Sequence, residues 1–148
     1  MLKAISLWRP WSHLVALGLK REETRSWPTE HRGEIAIHVS RRDGGDYDGA
    51  PWGPLADAGD EGRVPENMRM ARGAIIAVAS LTACRRTESL IGLSDDERAL
   101  GDFSPGRWAW RIEDALWLDE PVPCRGRQRI WTLDEETERK VREKNYPF

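Results

Sequence analysis

The segment GLKREETRSW, Gly18 to Trp27, brings together three side chains that could take part in polar chemistry. Lys20 can act as a base or a nucleophile, Glu23 can hold or relay a proton, and Arg25 is a fork-shaped donor for a phosphate or a carbonyl oxygen. The residues alone favour a structural salt bridge at a helix end. The alternative is a partly dry cleft, where burial lowers the pKa of Lys20 and Glu23 raises it again.

The elements before this segment are predicted to hold Lys20 in place. Residues 3–8 have the pattern of a short strand, and apolar residues with i, i+3, i+4 spacing predict a helix over about 10–18. Gly18 stands where a left-handed residue ends a helix. Lys20 therefore has a helix behind it and an extended segment in front of it.

That extended segment is predicted to face a set of tryptophans. Glu23, Arg25 and Trp27 alternate with their neighbours and therefore share one face. Trp8 and Trp11 are close to Trp27 in the sequence, and together the three indoles could offer a flat surface on which a base stacks. Core packing is the competing interpretation of each indole, because tryptophan buries a large apolar area.

Two histidines and a basic stripe are further candidates. His13 falls opposite the centre of the apolar stripe of its helix, which predicts an exposed side chain, and His38 points to the less apolar face of its strand. Arg125, Arg127 and Arg129 alternate along an extended segment. They form either a row of phosphate contacts or an edge strand protected by charge.

The rest of the pattern predicts an α+β protein with a small, mostly antiparallel β-barrel or curved sheet and flanking helices. A Gly-, Pro- and Asp-rich stretch at about 43–65 predicts a long surface loop, and a charged C-terminal helix is expected at about 134–144. Capping boxes are predicted at Ser94–Glu97 and Thr132–Glu135. The further strands are expected at 34–40, at 73–84 (central and buried on both faces), at 107–118 (entering a hairpin) and at 128–133.

Composition limits the possible function classes. The 148 residues suit one domain, 1–148, and the net charge of −2 argues against a protein that coats nucleic acid by bulk electrostatics. Residues 1–42 nevertheless carry eight Lys/Arg against four Glu, so a local basic face remains possible. No apolar run approaches the ~20 residues of a membrane span, which favours a cytoplasmic location. Cys84 and Cys124 lack the spacing of a zinc site or a disulfide framework, and neither a metal nor a cofactor is expected.

Several motifs in order resemble the ASCH domain family of the PUA-like superfamily. They are KAISLWRPW, GLKREETRSW, RGEIAIHVS, GDFSPGRWAW and PVPCRGRQRIW, which together extend over residues 3–133. The family pattern G-x-K-x-x-E-x-R is matched by Gly18, Lys20, Glu23 and Arg25. The resemblance implies a small β-barrel with a cleft beside it, in which RNA, another single-stranded nucleic acid, or a nucleotide or nucleoside binds.

The resemblance also implies roles for individual residues. The residues expected to bind the ligand are Trp8, Arg9, Trp11, Gly18, Lys20, Arg25, Trp27, His38 and Arg129. Some small ASCH proteins hydrolyse the amide of N4-acetylcytidine with the motif lysine, a polar partner and a carboxylate, which here would be Lys20, Glu23 and Glu97, with Asp102 as the next choice of carboxylate.

The chain departs from its relatives at three of these positions. Glu23 replaces the threonine of those hydrolases, and a glutamate cannot relay a proton from lysine in the same way. Arg9 replaces the glutamine that follows SLW in many relatives, and Arg129 lies in the segment that resembles their QGLW. The two arginines add positive charge, which favours a ligand that carries phosphate.

Overall fold

The structure is a computed structural model that describes residues 1–42 and 49–144. The part of the predicted loop at 43–48 lies outside the described residues. The strands are β1 Lys3–Leu7, β2 Glu22–Arg25, β3 Gly33–Val39, β4 Ala74–Arg86, β5 Trp108–Pro123 and β6 Ile130–Thr132. The α-helices are α1 Trp11–Ala16, α2 Trp52–Asp60, α3 Asp95–Arg98 and α4 Glu135–Lys144, and single 3-10 turns form at Glu66–Met68 and Thr87–Ser89.

The six strands form one curled, half-barrel sheet with the order β2-β5-β4-β3-β1-β6. Only β1 and β3 pair in parallel, and the other neighbours are antiparallel. The α+β, mostly antiparallel architecture predicted from the sequence is therefore confirmed. The curl is such that a side chain of edge strand β2 reaches the backbone of β1, four strands away in the sheet: Arg25 Nη2 donates to the Ser6 carbonyl at 3.3 Å.

The core lies along the central strands. Residues 74–79 of β4 are all buried, as expected for an apolar run covered on both faces. Beyond them the strand emerges, and its last residues, Arg85 and Arg86, are exposed. Trp110 and Ile112 of β5 pack into the same core, which agrees with the alternation of that strand.

Two elements differ from the sequence prediction. α2 occupies part of the predicted loop; its Pro54 falls in the first turn, where the missing N–H has no helical partner to lose. β5 does not turn into a hairpin after residue 118 but continues to Pro123. The pairing of β5 with β4 contains register shifts, and Asp114 adopts a φ of 55°. These irregularities allow the strand to continue where the prediction expected a turn.

The cap of the last helix also differs. Asp134, and not Thr132, caps α4, because its Oδ1 accepts the N–H of Thr137 at 2.8 Å. Thr132 belongs to β6 instead, where its hydroxyl accepts a hydrogen bond from Lys3 Nζ at 2.6 Å. Because Thr132 pairs with β1, it cannot cap α4, and the cap lies two residues later than the capping-box motif predicted.

Candidate functional site

Lys20 is positioned by the way α1 ends. Gly18 has a φ of 77°, the left-handed conformation predicted for it. The N–H groups of Leu19 and Lys20 then both donate to the Leu14 carbonyl, at 3.0 and 3.1 Å. This turn sends the Lys20 side chain inward, where only 1% of the residue is exposed.

The buried ammonium of Lys20 is held by three acceptors. Nζ donates to the carbonyl oxygens of Glu22 at 2.7 Å and Leu100 at 2.8 Å, and it lies 3.7 Å from Glu23 Oε1. Burial lowers the pKa of Lys20, and the nearby carboxylates of Glu23 and Glu97 oppose that change. The structure therefore contains both the salt bridge and the cleft that the two interpretations of the motif expected. Lys20 and Glu23 form the ion pair, and this pair lies in the wall of a cavity.

Glu23 is shared between two cations. Its Oε2 lies 2.9 Å from Arg25 Nε, an ionic contact in which the N–H is not directed at the oxygen closely enough for a hydrogen bond. The two residues are on the same face of β2, as the alternation predicted. Arg25 thus links Glu23 to the Ser6 carbonyl across the opening of the curled sheet.

Glu97 lies near this cluster but does not line the cavity that contains Lys20. Its carboxylate accepts the backbone N–H of Arg21 at 2.9 Å and that of Glu22 at 3.3 Å. Its own N–H donates to Ser94 Oγ, so that half of the predicted capping box is present. The Glu97 carboxylate therefore binds the backbone of the Lys20 segment and not the N-terminus of its own helix.

Asp102, unlike Glu97, lines the same cavity as Lys20 and Glu23. Its N–H donates to Thr24 Oγ1 at 3.0 Å, and Arg107 lies 3.5 Å from its Oδ2. The hydroxyl and N–H of Ser104 lower the pKa of Asp102. Arg107 and Thr24 were not singled out from the sequence, since no local pattern separates them from ordinary surface residues.

We call the first cavity the Lys20 cavity. It has a volume of about 550 Å³ and lies between the ends of β1 and β2 and the loop after α3. Charged, polar and aromatic groups line it together, among them Trp8, Trp11, Lys20, Glu23, Thr24, Arg25, Trp27, Asp102 and Arg107.

We call the second cavity the arginine cavity. It has a volume of about 1040 Å³ and shares Ser6, Trp8, Arg25 and Trp27 with the Lys20 cavity. The two cavities are therefore neighbouring parts of one groove. Further residues that line it are His38, Ser40, Arg41, Gly73 and residues 123–129.

The three predicted tryptophans lie at this groove with different surroundings. Trp8 is 42% exposed and lines both cavities, whereas Trp11 is half-buried in the Lys20 cavity. Trp27 packs edge-on against Trp110, with ring centroids 4.7 Å apart, and the guanidinium of Arg129 covers it at 4.0 Å. Trp8 is therefore the most exposed of the three indoles, and the guanidinium of Arg42 lies over its ring at 5.7 Å.

Arg9 and His13 do not lie where the sequence predicted. Arg9 is buried and lines neither cavity; its guanidinium approaches the sulfur of Met70 and the ring of Trp52. His13 is fully buried, not exposed, and its Nε2–H donates to the Met68 carbonyl at 2.7 Å. The 3-10 turn that contains Met68 is distant in the sequence, so the helical pattern of α1 gave no sign of this cover.

His38 is buried in the wall of the arginine cavity. Its Nε2–H donates to the Cys124 carbonyl, and its Nδ1 accepts from the Ser6 hydroxyl, both at 2.9 Å. Burial lowers the pKa of His38. The ring therefore links β3 to β1 and to the segment that follows β5.

That segment, residues 124–129, has no strand structure. The interpretation of Arg125, Arg127 and Arg129 as an edge strand protected by charge is therefore wrong. All three arginines are exposed and line the arginine cavity. Arg41, at the end of β3, joins them there and was not among the residues singled out from the sequence.

Residues 1–42 and 49–144 contain neither a membrane-spanning helix nor a metal-ligand cluster. No helix in these ranges combines the length and the apolar character needed to cross a membrane. The same ranges contain no cluster of three or more His, Cys, Asp or Glu side chains arranged to hold a metal ion. Cys84 and Cys124 are free thiols, half-buried, and burial raises the pKa of Cys124 to about 11.

Comparison with known proteins agrees with this architecture. A family model described as the ASCH domain matches residues 5–142. The crystal structure of ASCH from Zymomonas mobilis is similar over 96% of this chain and 94% of that chain, with 17% identity and a TM-score of 0.57. Two single-residue mutants of that protein superpose with TM-scores of 0.57 and 0.56 at the same identity, covering 96% of this chain and 96% and 94% of theirs. No curated protein matches the chain.

Proposed function

This chain belongs to the ASCH domain family, which is PUA-like and associated with RNA binding, and on that premise we propose that its groove binds RNA or a modified nucleotide. The observation that carries the proposal is the lining of the Lys20 cavity. A buried lysine, a shared carboxylate and an arginine stand there beside partly exposed indoles. Such a site offers hydrogen-bonding groups for a base edge and an aromatic face for stacking.

Each part of the cavity has a distinct role in this proposal. Trp8 stacks against the base, because it is the most exposed of the three indoles. Glu23 keeps Lys20 charged and orients Arg25, whose remaining N–H groups reach a carbonyl oxygen or a phosphate. Glu97 acts as a positioning residue, since it fixes the backbone from which Lys20 and Glu23 project.

The test is the affinity for short single-stranded RNAs, measured by fluorescence anisotropy with wild type and Trp8→Ala. Loss of one stacked base should weaken binding by about 1–3 kcal/mol, or roughly 5- to 150-fold. Trp52→Ala is the matched control, because Trp52 lines neither cavity. Equal affinity of wild type and Trp8→Ala for all sequences would contradict the proposed stacking role.

Hydrolysis of N4-acetylcytidine is the second candidate function. The observation in its favour is that burial lowers the pKa of Lys20, whose amine faces a cavity that also contains Glu23 and Asp102. The neutral amine would take a proton from water, which attacks the acyl carbon. The Lys20 ammonium returns this proton, through a carboxylate of the cavity, to the leaving N4 amine as the C–N bond breaks. Cytidine and acetate are released, and the second proton of the water goes to solvent.

Chromatography of N4-acetylcytidine incubated with the protein tests this second candidate. The expected product is cytidine from wild type and from Lys140→Ala, on the exposed face of α4, but not from Lys20→Ala. After subtraction of the uncatalysed hydrolysis, which also accelerates with pH, the wild-type rate should rise with pH as Lys20 loses its proton. Absence of cytidine from wild type would exclude this substrate and leave the binding proposal intact.

A further inference from the structure

We propose that the arginine cavity binds phosphate groups of a single-stranded RNA whose base occupies the Lys20 cavity. This inference rests on the proposed function, and it adds a second binding site to the same groove. It makes an oligonucleotide, and not a free nucleoside, the ligand that uses the whole groove.

The first argument is the charge of the cavity wall. Five arginines line it, namely Arg25, Arg41, Arg125, Arg127 and Arg129. Among its described lining residues there is no Asp or Glu. In a protein with a formal net charge of −2, such a one-signed concave surface focuses a positive potential on any anion that enters it.

The second argument is that some of these arginines lack protein counterions. Arg85, Arg111 and Arg142 each have a carboxylate within 3.3 Å. Within the described chain, no ion pair joins Arg125 or Arg127 to a carboxylate. Their guanidinium groups therefore keep their fork of donors available for a phosphate.

The third argument is that the segment carrying these arginines is held in place. At its start, the Cys124 N–H donates to the Gly73 carbonyl at 3.1 Å, and the Cys124 carbonyl accepts from His38. Gly126 lies so close to the His38 ring that an added Cβ would be 2.6 Å from Cε1. The segment ends at Arg129, which has a φ of 60° and packs over Trp27. An irregular segment with this many attachments presents its arginines without a large ordering cost.

The fourth argument is continuity, which also selects the form of the nucleic acid. Trp8, Arg25 and Trp27 belong to both cavities, so one chain can place a base in the first and its neighbouring phosphates in the second. A base inside a duplex is paired and stacked and cannot enter such a cavity without being extruded. A single strand needs no such step.

The experiment compares two double variants that remove the same charge. Arg125→Gln/Arg127→Gln removes two cations from the arginine cavity, and Arg139→Gln/Lys140→Gln removes two from the exposed face of α4. Affinity for each of the four homopentaribonucleotides, for an RNA duplex and for the four nucleosides is measured over a series of salt concentrations. Circular dichroism and melting temperature verify that both variants are folded.

For the pentaribonucleotide that wild type binds best, we expect the cavity variant to bind at least tenfold more weakly at low salt. The slope of log K against log salt should fall by about 1.4, since each single-strand phosphate contact contributes about 0.7. The α4 variant should retain the wild-type slope, and nucleoside affinity should be the same in all three proteins.

Each other result overturns a stated part. Equal slopes for the two double variants would remove the phosphate site while RNA binding, and with it the proposed function, stands. Loss of nucleoside affinity in the folded cavity variant would mean that the arginines contact the base. Duplex binding as tight as single-strand binding would refute the choice of single-stranded RNA. Wild type that binds neither RNA nor nucleosides would refute the RNA-binding form of the proposed function, and the phosphate site with it.

Discussion

The two cavities of the groove use charge in opposite ways. In the Lys20 cavity, the motif charges are buried and paired: Lys20 has three acceptors, and Glu23 contacts two cations. In the arginine cavity, Arg125 and Arg127 are exposed, and no described carboxylate pairs with them. The first arrangement is part of the folded core and should affect stability, because removal of Lys20 leaves two buried carbonyl oxygens without a donor and takes one of two cations from Glu23. The exposed arginines of the second cavity should affect the electrostatic potential around it but not the stability of the fold.

The largest effect is expected for Lys20→Met. The substitution leaves two carbonyl oxygens and Glu23 without their buried cation, and we expect a loss of about 3–5 kcal/mol in the free energy of unfolding. Urea denaturation measures it. Lys140→Met, on the surface of α4, should change stability by less than about 0.5 kcal/mol. If both variants are equally stable, the buried contacts of Lys20 do not stabilise the fold, and the two cavities do not differ in their effect on stability.

The second effect concerns His13, a buried residue of α1, the helix that precedes Lys20. Burial lowers the pKa of His13 from 6.5 to about 4, while the Met68 carbonyl opposes this and Arg9 adds to it. The unfolded chain therefore binds a proton at a higher pH than the native protein. We therefore expect the contribution of His13 to stability to be complete above about pH 6.5 and to fall by about 3 kcal/mol in total as the pH drops to about 4.

His13→Gln should remove this acid-dependent term, since glutamine can still donate to Met68 but does not titrate. The difference in unfolding free energy between wild type and variant is measured at several pH values from 7 to 4. Carboxylates titrate in both proteins and cancel in that difference. His31→Gln, at a site that is not buried, is the matched control. A pH-independent difference for His13→Gln would contradict the assignment.

A smaller effect is expected where the arginine cavity meets the core. In Gly126→Ala the new Cβ would lie 2.6 Å from His38 Cε1 and 2.9 Å from Nδ1, and the ring is held by hydrogen bonds at both nitrogens. We expect a loss of about 1–3 kcal/mol in stability from overpacking, together with weaker RNA binding. Gly53→Ala is the control, because a Cβ there meets nothing within 4 Å. Unchanged RNA affinity in Gly126→Ala would show that the segment need not be fixed.

The smallest effect is expected for Arg125→Gln/Arg127→Gln. Both side chains are exposed, and no described salt bridge is lost, so the free energy of unfolding should remain within about 0.5 kcal/mol of wild type. Thermal and urea denaturation measure it. A loss of more than about 1 kcal/mol would mean that these arginines stabilise the fold, which would erase the contrast between the two cavities.

Local signals accounted for much of the fold. The strand predicted at 34–40 forms as Gly33–Val39, and the C-terminal helix predicted at about 134–144 forms as Glu135–Lys144. Gly18 ends α1 as its position suggested. These features depend on periodicity and on backbone freedom, which are properties of a few consecutive residues.

Features that depend on distant partners were predicted less well. The pattern of α1 could not reveal that Met68 covers His13, and the capping box could not reveal that the Glu97 carboxylate reaches the backbone of Arg21. Arg9 likewise lies beside Trp52 and Met70, away from the groove. In each case the deciding contact joins residues far apart in the sequence, and a polar group chooses the partner that burial makes available.

By itself, the sequence determined the strands, the turn that directs Lys20 inward and the family to which the motif belongs, because short-range spacing carries that information. Only the tertiary structure decided that the motif lies at a groove of two cavities. The curl of the sheet brings β2 against β1, and the irregular segment after β5 places Arg125 and Arg127 beside that opening. No local pattern contains these distances, since they depend on how strands far apart in the chain pair and bend.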